Sequence, residues 1–326
     1  MEEPIGYLVF SFGEAIGVNP MALELAIIMI GALFLGLGFH RQNHQKSRYL
    51  AALGWIFMGL YFYLQSEYYV EISDPVLVLM TASALPGSIA LAIWEIKNEK
   101  TPEALQWLRG CFTWAVVPYF VIFSVPYLNM ALIQLTAEST ELMLEFCGLG
   151  NYHIGEMMVA RDGTPDVPVS EWDGNKWILT ESLAKEGFYV QFFDSDGRVI
   201  VQFIMACSGL QSMIIFVGAI GALSSVSWKR RARGLLIALP TIYVLNMFRN
   251  AGIVWLTEVY PNWSLMGIEM FDFTHSYAAK AISLFAMFLM AIALFDLLPE
   301  LHRHIMKILN PIFDVAERIT GTSKSS

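Results

Sequence analysis

Seven long apolar stretches set the strongest limit on what this chain can fold into. A helix rises about 1.5 Å per residue, so about 20 apolar residues cross a hydrocarbon core about 30 Å thick. Stretches of that order occur at residues 22–39, 49–64, 76–94, 110–133, 201–223, 234–255 and 276–298. They predict an all-α polytopic membrane protein with about seven transmembrane helices.

The composition agrees with a cell-membrane location and argues against other classes. Charged residues make up 15% of the chain, whereas an ordinary soluble domain has about 25%. The net charge of −9 lacks the basic footprint of a nucleic-acid-binding protein. The three cysteines form no CxxC motif and no Cys/His cluster with metal-ligand spacing, so neither a metal nor another cofactor is expected. The first residues lack the basic region of a cleaved signal peptide.

Basic residues predict the orientation, because cytoplasmic loops carry an excess of Lys and Arg. They follow the first, third, fifth and seventh stretches, as Arg41, Lys46, Arg48, Lys97, Lys100, Arg109, Lys229, Arg230, Arg231, Arg233, Arg303, Lys307, Arg318 and Lys324. The segments after the second and sixth stretches hold acidic residues and no basic one. The N-terminus is therefore predicted outside and the C-terminus inside.

Four regions follow from this pattern. Residues 1–133 are predicted to form an N-terminal four-helix transmembrane region, and residues 134–200 an acidic extracellular segment. Residues 201–298 are predicted to form a three-helix transmembrane region that carries the candidate catalytic groups. Residues 299–326 are predicted to be a cytoplasmic tail.

The acidic segment carries the signature of short strands. Asp-Gly pairs, which favour hairpin turns, occur at 162–163, 173–174 and 196–197. β-Forming residues cluster at 176–180 and 187–193. The segment is predicted to be a small β-rich cap on the outer face; the alternative is a solvated loop with no part in binding.

Arg249 is an ionisable residue inside the sixth stretch, where a charge is costly and usually marks a functional site. Its position in the stretch places it about 8 Å below the outer surface. Asn246 lies one turn away on nearly the same face, and Asn250 follows directly. The alternative is that Arg249 only extends its charge to the outer interface.

Cys207 belongs to a polar run, Ala206-Cys207-Ser208-Gly209-Leu210-Gln211-Ser212, near the outer end of the fifth stretch. Gln211 is one helical turn further on and is predicted to face the same way. A lone cysteine in a transmembrane helix is usually a small buried hydrophobe, but polar neighbours such as Ser208 favour a function. Cys111 has apolar neighbours and is predicted to serve packing, while the role of Cys147 is open.

His275 stands at the outer start of the seventh stretch, and Lys280 lies about 7.5 Å deeper. His275 is either a catalytic group or an interfacial anchor. Lys280 is either a second functional cation or one that extends to the interface. In the predicted orientation, Cys207, Arg249 and His275 come from three helices and lie within about 10 Å of the same surface.

These three residues together suit acyl transfer. A thiolate is the attacking species, and a neighbouring cation such as Arg249 lowers its pKa. Neutral His275 can accept the thiol proton and return it to a leaving amine. Arg249 keeps its charge and presents a fork of donors that suits an oxyanion. The combination predicts cleavage of a peptide bond through a thioester.

The Cys207 motif, the Arg249-Asn250 pair and the downstream His275, in this order on successive late stretches, resemble the exosortase/archaeosortase family of polytopic membrane cysteine enzymes. The resemblance covers about residues 192–280. It implies that Cys207 is the nucleophile and that Arg249 is the family's arginine. The family is not uniform at the third position, for which His275 is the first choice and Lys280 the second.

The resemblance also implies the substrates. They would be surface proteins with a C-terminal sorting signal, made of a short Pro-Gly-Phe motif, a transmembrane helix and a basic cytoplasmic tail. Cleavage near that motif would be coupled to attachment of the new C-terminus to a membrane lipid.

Two other functions stay open at this point. A non-enzymatic transporter or channel would use Arg249 and Lys280 as binding charges, but the sequence shows no internal repeat. A retinal-binding seven-helix protein would use Lys280 for its Schiff base, but the third and fourth stretches hold no acidic counter-ion. Separately, Asn262-Trp263-Ser264 forms an N-glycosylation sequon in the loop before His275.

Overall fold

The computed structural model describes residues 4–41, 46–71, 75–98, 100–181, 183–184 and 186–320. Most of these residues are helical, and a small antiparallel sheet lies in the middle of the chain. The chain forms two compact units. The first comprises Met1–Val117, Val217–Arg231 and Leu298–Ser326, and the second comprises Pro118–Phe216 and Ala232–Leu297.

The helices that precede the sheet are α1 (Pro4–Ala15), α2 (Pro20–His40), α3 (Ser47–Leu64), α4 (Ser66–Glu71), α5 (Pro75–Lys97), α6 (Glu103–Ser124) and α7 (Pro126–Phe146). Those that follow it are a 3₁₀ turn (Met205–Ser208), α8 (Leu210–Gly221), α9 (Trp228–Val259), α10 (Met270–Asp272), a π-helical turn (Phe273–Ala278), α11 (Ala279–Leu297) and α12 (Pro299–Thr320). A two-stranded ribbon, β5 (Ser264–Leu265) and β6 (Ile268–Glu269), lies between α9 and α10.

A buried ion pair joins the helices of the first unit. The Arg109 guanidinium on α6 donates two hydrogen bonds to the Glu95 carboxylate on α5, at 2.7 and 2.5 Å, and a third to the Gly38 carbonyl of α2 at 2.8 Å. Both charged side chains are fully buried. Such a pair is tolerated in the interior because its charges are matched and its donors are satisfied.

Five helices in the described part of the chain are long and apolar enough to cross a membrane: Pro20–His40, Val76–Lys97, Glu103–Ser124, Trp228–Val259 and Met270–Leu297. They coincide with the predicted stretches at 22–39, 76–94, 234–255 and 276–298 and overlap the one at 110–133. The stretch at 49–64 is helical as α3 but is not among the five. The protein is therefore a mostly helical, multi-pass membrane protein.

The predicted helix at 110–133 is two helices. α6 ends at Ser124 and α7 begins at Pro126. Proline has no N–H with which to continue a helix, and it disfavours the helical conformation of the residue before it. Val125 is accordingly extended, with φ −104° and ψ 100°.

The prediction of one helix over 201–223 is wrong. Residues Val199–Ile204 form strand β4, the 3₁₀ turn Met205–Ser208 follows, and only Leu210–Gly221 is α-helical. Between turn and helix, Gly209 adopts a left-handed conformation with φ +73°, which a residue with a Cβ rarely takes. The predicted combination of a mostly helical chain with a small β-rich segment is confirmed.

The sheet has the strand order β2-β1-β3-β4 with antiparallel neighbours. Its strands are β1 (His153–Val159), β2 (Val167–Pro168), β3 (Phe188–Phe193) and β4 (Val199–Ile204). The Asp196-Gly197 pair forms the β3–β4 hairpin turn, where the Gly197 N–H donates to the Asp194 carbonyl at 3.1 Å. The predicted β-rich character of residues 134–200 is thus confirmed from His153 onward, whereas residues 134–146 belong to α7.

α7 packs against this sheet through a shared core. Ile133, Ala137 and Leu144 of the helix cluster with Val190 and Phe192 of β3, and all five are fully buried. Cys207 and Trp255 pack at the edge of the same cluster. The hydrophobic core therefore extends up to the turn that carries the candidate nucleophile.

Candidate active site

Cys207 lies in the 3₁₀ turn between β4 and α8, and its side chain is half-buried. The next residue, Ser208, is fully buried. Its hydroxyl donates to the Met205 carbonyl at 2.7 Å and accepts the Leu210 N–H at 3.1 Å. Ser208 therefore closes the turn and caps the start of α8, which fixes the backbone that carries the thiol.

Two asparagine side chains hold the backbone of Cys207 against α9. The Nδ2 of Asn246 donates to the Cys207 carbonyl oxygen at 2.8 Å, and the Nδ2 of Asn250, about one turn further along, donates to the same oxygen at 2.9 Å. Both lone pairs of that carbonyl have a partner. The predicted neighbours of Arg249 thus contact the peptide group of the nucleophile.

Gly209 makes this close approach possible, and its importance was not predicted from the sequence. A Cβ at residue 209 would lie 2.9 Å from Cγ of Asn246. The positive φ adds a second requirement for glycine. The available signal was a glycine directly between the cysteine turn and an apolar helix.

Arg249 is half-buried on α9 and lies beside the turn. Its Nη1 donates to Oδ1 of Asn250 at 3.1 Å, so one asparagine contacts both the Cys207 carbonyl and the guanidinium. The guanidinium is also within electrostatic range of the Cys207 thiol. The structure therefore brings Cys207, Arg249, Asn246 and Asn250 together.

His275 lies in the π-helical turn, with its ring stacked on Phe271 at a centroid distance of 5.3 Å and an interplanar angle of 5°. It is half-buried and within electrostatic range of Arg249 and Lys280. Among the described residues it makes no hydrogen bond with Cys207. The structure thus places His275 near the cation of the site without a direct bond to the thiol.

The other predicted residues differ in burial. Gln211 is exposed at the start of α8, and its predicted orientation toward Cys207 stays a prediction. Cys111 is half-buried in α6, and Cys147 is exposed just after α7. Asn262 is exposed in the loop after α9.

Burial raises the pKa of the Cys207 thiol, while a hydrogen bond with the Ile204 backbone and the charge of Arg249 oppose that rise. The resting thiol is therefore protonated at neutral pH, and attack requires a base to remove its proton.

Alkylation of Cys207 by iodoacetamide is accordingly expected to be slow at pH 7 and still accelerating above pH 9, since the thiolate is the reacting form. Arg249→Gln removes a cation that stabilises the thiolate, so alkylation should be slower at each pH. Both proteins would carry Cys111→Ser and Cys147→Ser, so that mass spectrometry counts Cys207 alone. A rate already at its plateau at pH 7, or faster alkylation in Arg249→Gln, would contradict this.

A cavity of about 300 Å³ opens beside Arg249. Its polar side chains are those of Ser212, Asn246, Arg249, Thr274 and Ser283. The remaining walls are mainly apolar side chains of α9 and α11. A substrate group in this cavity can therefore contact the guanidinium while apolar side chains surround it.

Residues 19–295 match the family model described as transmembrane exosortase. The chain belongs to the transmembrane exosortase family. As an exosortase family member it is also similar to archaeosortase A of Haloferax volcanii, with 25% identity over 241 residues, which cover 69% of this chain and 68% of the relative. No solved structure matches this exosortase family member.

Membership decides the class of protein. The exosortase/archaeosortase family consists of membrane transpeptidases that sort proteins, so this exosortase family member is favoured as an enzyme over a transporter or a retinal protein. The matched region contains the cysteine turn, α9 and the π-helical turn with His275.

Proposed function

We propose that this exosortase family member is a cysteine transpeptidase that cleaves surface proteins at a C-terminal Pro-Gly-Phe sorting signal and transfers the new C-terminus to a membrane lipid. One observation carries the proposal. Two asparagines of α9 fix the backbone carbonyl of Cys207, while Arg249 between them acts on its thiol. The family resemblance supplies the sorting signal and the lipid acceptor.

The chemistry assigns one task to each group. The Cys207 sulfur attacks the scissile carbonyl while His275 takes the thiol proton. The Arg249 guanidinium stabilises the oxyanion of the tetrahedral intermediate. Collapse breaks the C–N bond, leaves a thioester on Cys207, and returns the proton from His275 to the leaving amine. A nucleophilic headgroup of the lipid then attacks the thioester and loses its proton to His275. The C–S bond breaks, and His275 returns that proton to the Cys207 sulfur, which restores the thiol.

His275 is assigned as the base on its position near Arg249, and a bound substrate or one water must complete the proton path to the thiol. Catalytic hydrogen bonds are often long before the substrate binds. Lys280, which is within electrostatic range of His275, is the second candidate for this position.

We place the site at the extracellular face of the cell membrane. The support is the distribution of Lys and Arg along the loops, which puts the N-terminus outside and the C-terminus inside. The sheet would then form an outer cap beside the site, and the exposed Asn262 would be available for glycosylation. The same topology places the basic tail of a sorting signal on the cytoplasmic side.

Intact mass spectrometry tests the proposed reaction. The purified chain is mixed with a membrane-embedded peptide that carries the Pro-Gly-Phe motif, a transmembrane helix and a basic tail. In detergent without phospholipid, the N-terminal fragment is expected as a hydroxylamine-sensitive adduct of Cys207. In phospholipid it should appear attached to a lipid. Absence of cleavage by a folded protein that binds the peptide would refute the assignment.

A further inference from the structure

A loop between β2 and β3 is hydrogen-bonded to the end of a membrane-spanning helix. The Leu179 N–H donates to the Ser124 carbonyl at 2.8 Å, and the Tyr127 N–H donates to the Lys176 carbonyl at 3.1 Å. Ser124 is the last residue of the span α6, and Tyr127 lies in the first turn of α7. Residues 175–178, which we call the tip, are therefore held beside the junction of these two helices.

The length of α6 places that junction at a membrane border. The span has 22 residues, and at about 1.5 Å per residue it is about 33 Å long. This length matches a hydrocarbon core about 30 Å thick. The last turn of α6 still exposes an apolar side chain, Val121. The tip therefore lies where the hydrocarbon core meets the lipid headgroups.

The side chains of the tip are large, apolar and exposed. Trp177 is 70% exposed and Ile178 is 60% exposed. The Asn175 Oδ1 accepts the backbone N–H groups of both residues, at 2.8 and 3.1 Å, which fixes the shape of the loop. The Trp177 ring packs edge-on against Tyr127, with the centroids 5.0 Å apart. The fold thus holds two large apolar side chains outside its own core.

The residue types of the tip fit a phospholipid interface. Trp and Tyr are enriched at the border of a membrane because each has a large apolar ring with one polar group. Ile178 adds an apolar side chain with no polar group. Lys176 is half-buried between them and the helix junction, and a lysine stem can extend its ammonium group to lipid phosphates.

The tip contacts the side of α7 that faces away from the cysteine turn. Asn129 is buried on α7, and its Nδ2 donates to the Sδ of Met205 in that turn at 3.4 Å. Successive residues of a helix are rotated by about 100°, so Tyr127 and Asn129 point in nearly opposite directions. A substrate bound at Cys207 would therefore lie on the other side of α7, which favours lipid as the partner of the tip.

We propose that the tip inserts into the phospholipid interface at the end of α6. The Ile178 side chain and the Trp177 ring lie among the outermost part of the acyl chains, and Lys176 lies near the phosphates. This binding does not depend on the proposed function.

Collisions of a spin label with oxygen and with a nickel chelate test the insertion, because oxygen concentrates in hydrocarbon and the chelate stays in water. Ile178→Cys is labelled in a chain that carries Cys111→Ser, Cys147→Ser and Cys207→Ala. The protein is placed in phosphatidylcholine nanodiscs at one copy per disc. The ratio of oxygen to nickel collision rates at residue 178 should be several-fold higher than at a labelled Val199→Cys.

Val199 is the matched control because it is also an exposed aliphatic residue of the sheet region. It is the first residue of β4, beside the hairpin turn. At about 3.3 Å per residue it lies about 17 Å along the strand from Ile204, which precedes the cysteine turn.

Three outcomes would overturn the proposal. Equal ratios at residues 178 and 199 would show that the tip lies in water. Low collision rates with both reagents would show that protein covers it. Loss of the oxygen collisions when a sorting-signal peptide is added would show that the tip binds the substrate.

Tryptophan fluorescence tests the insertion without a label. Phospholipids brominated near the top of the acyl chains should quench Trp177. Trp177→Phe should therefore remove a quenchable part of the emission, whereas Trp172→Phe should not, because Trp172 is buried in the core against the sheet. Equal loss of quenchable emission in both variants would contradict the insertion.

Insertion has a consequence for the proposed reaction, and this step rests on the proposed function. Since the first turn of α7 contacts both the tip and the cysteine turn, insertion would fix the depth of Cys207. The double variant Trp177→Ser, Ile178→Ser should cleave a membrane-embedded substrate several-fold more slowly, while iodoacetamide alkylates its Cys207 at the unchanged rate. Unchanged cleavage would refute this consequence alone, whereas absence of cleavage by the otherwise wild-type chain would refute the transpeptidase itself.

Discussion

Cys207→Ala is expected to lower cleavage of a sorting-signal substrate by at least about 10⁴-fold, because a reaction that proceeds through a covalent intermediate loses nearly all its rate without the nucleophile. The fold should hardly change. The contacts that fix this turn involve the Cys207 carbonyl and the Ser208 hydroxyl, which the substitution leaves in place. Initial rates of peptide cleavage, together with the thermal unfolding midpoint, measure both effects.

The chain supplies its own controls for this experiment. Cys111→Ala and Cys147→Ala remove the other two thiols, and both should cleave at the wild-type rate. Full activity in Cys207→Ala, or loss in Cys147→Ala, would show that the thioester is formed elsewhere or not at all. Cys207→Ser should also be inactive, since a serine hydroxyl is far less acidic than a thiol.

Arg249→Lys is expected to lower kcat/KM by about 10²–10³-fold, the usual effect of removing one donor from an oxyanion site. The ammonium keeps the charge but cannot reproduce the planar fork of donors. It also changes the geometry of the bond from Nη1 to Asn250, which in turn holds the Cys207 carbonyl. The defect should therefore appear mainly in kcat.

Arg233→Lys is the matched control, because Arg233 lies on the same helix and is exposed. It should leave kcat/KM unchanged. If Arg249→Lys turned over at the wild-type rate, Arg249 would act only as an anchor of α9 in the membrane.

Parts of the fold were predictable because their signals are local. A continuous apolar stretch such as 22–39 needs no distant partner to be recognised as a helix, and Asp196-Gly197 encodes its own turn. Residues 201–204 extend an apolar run into α8, and the pattern therefore predicts a helix there. Their strand conformation depends on pairing with β3, which lies too far along the chain for periodicity to show.

The same distinction applies to the site. The proximity of Cys207 and Arg249 followed from residue types and spacing. The sequence does not predict that Asn246 and Asn250 both contact one backbone carbonyl. The direction of that carbonyl is set by the 3₁₀ turn and Gly209. The orientation of His275 was equally hidden, since its turn is not α-helical.

The π-helical turn Phe273–Ala278 makes this part of the chain sensitive to length as well as to residue type. A π turn accommodates one residue more than an α turn. Deleting a single residue from it would let the segment form an uninterrupted α-helix. The residues that precede the deletion would then be rotated by about 100° relative to α11. His275 would then point in a different direction while the hydrophobic length of the helix barely changed. Deletion of one codon here should therefore leave insertion into the membrane intact. It should change the position of His275 relative to Arg249.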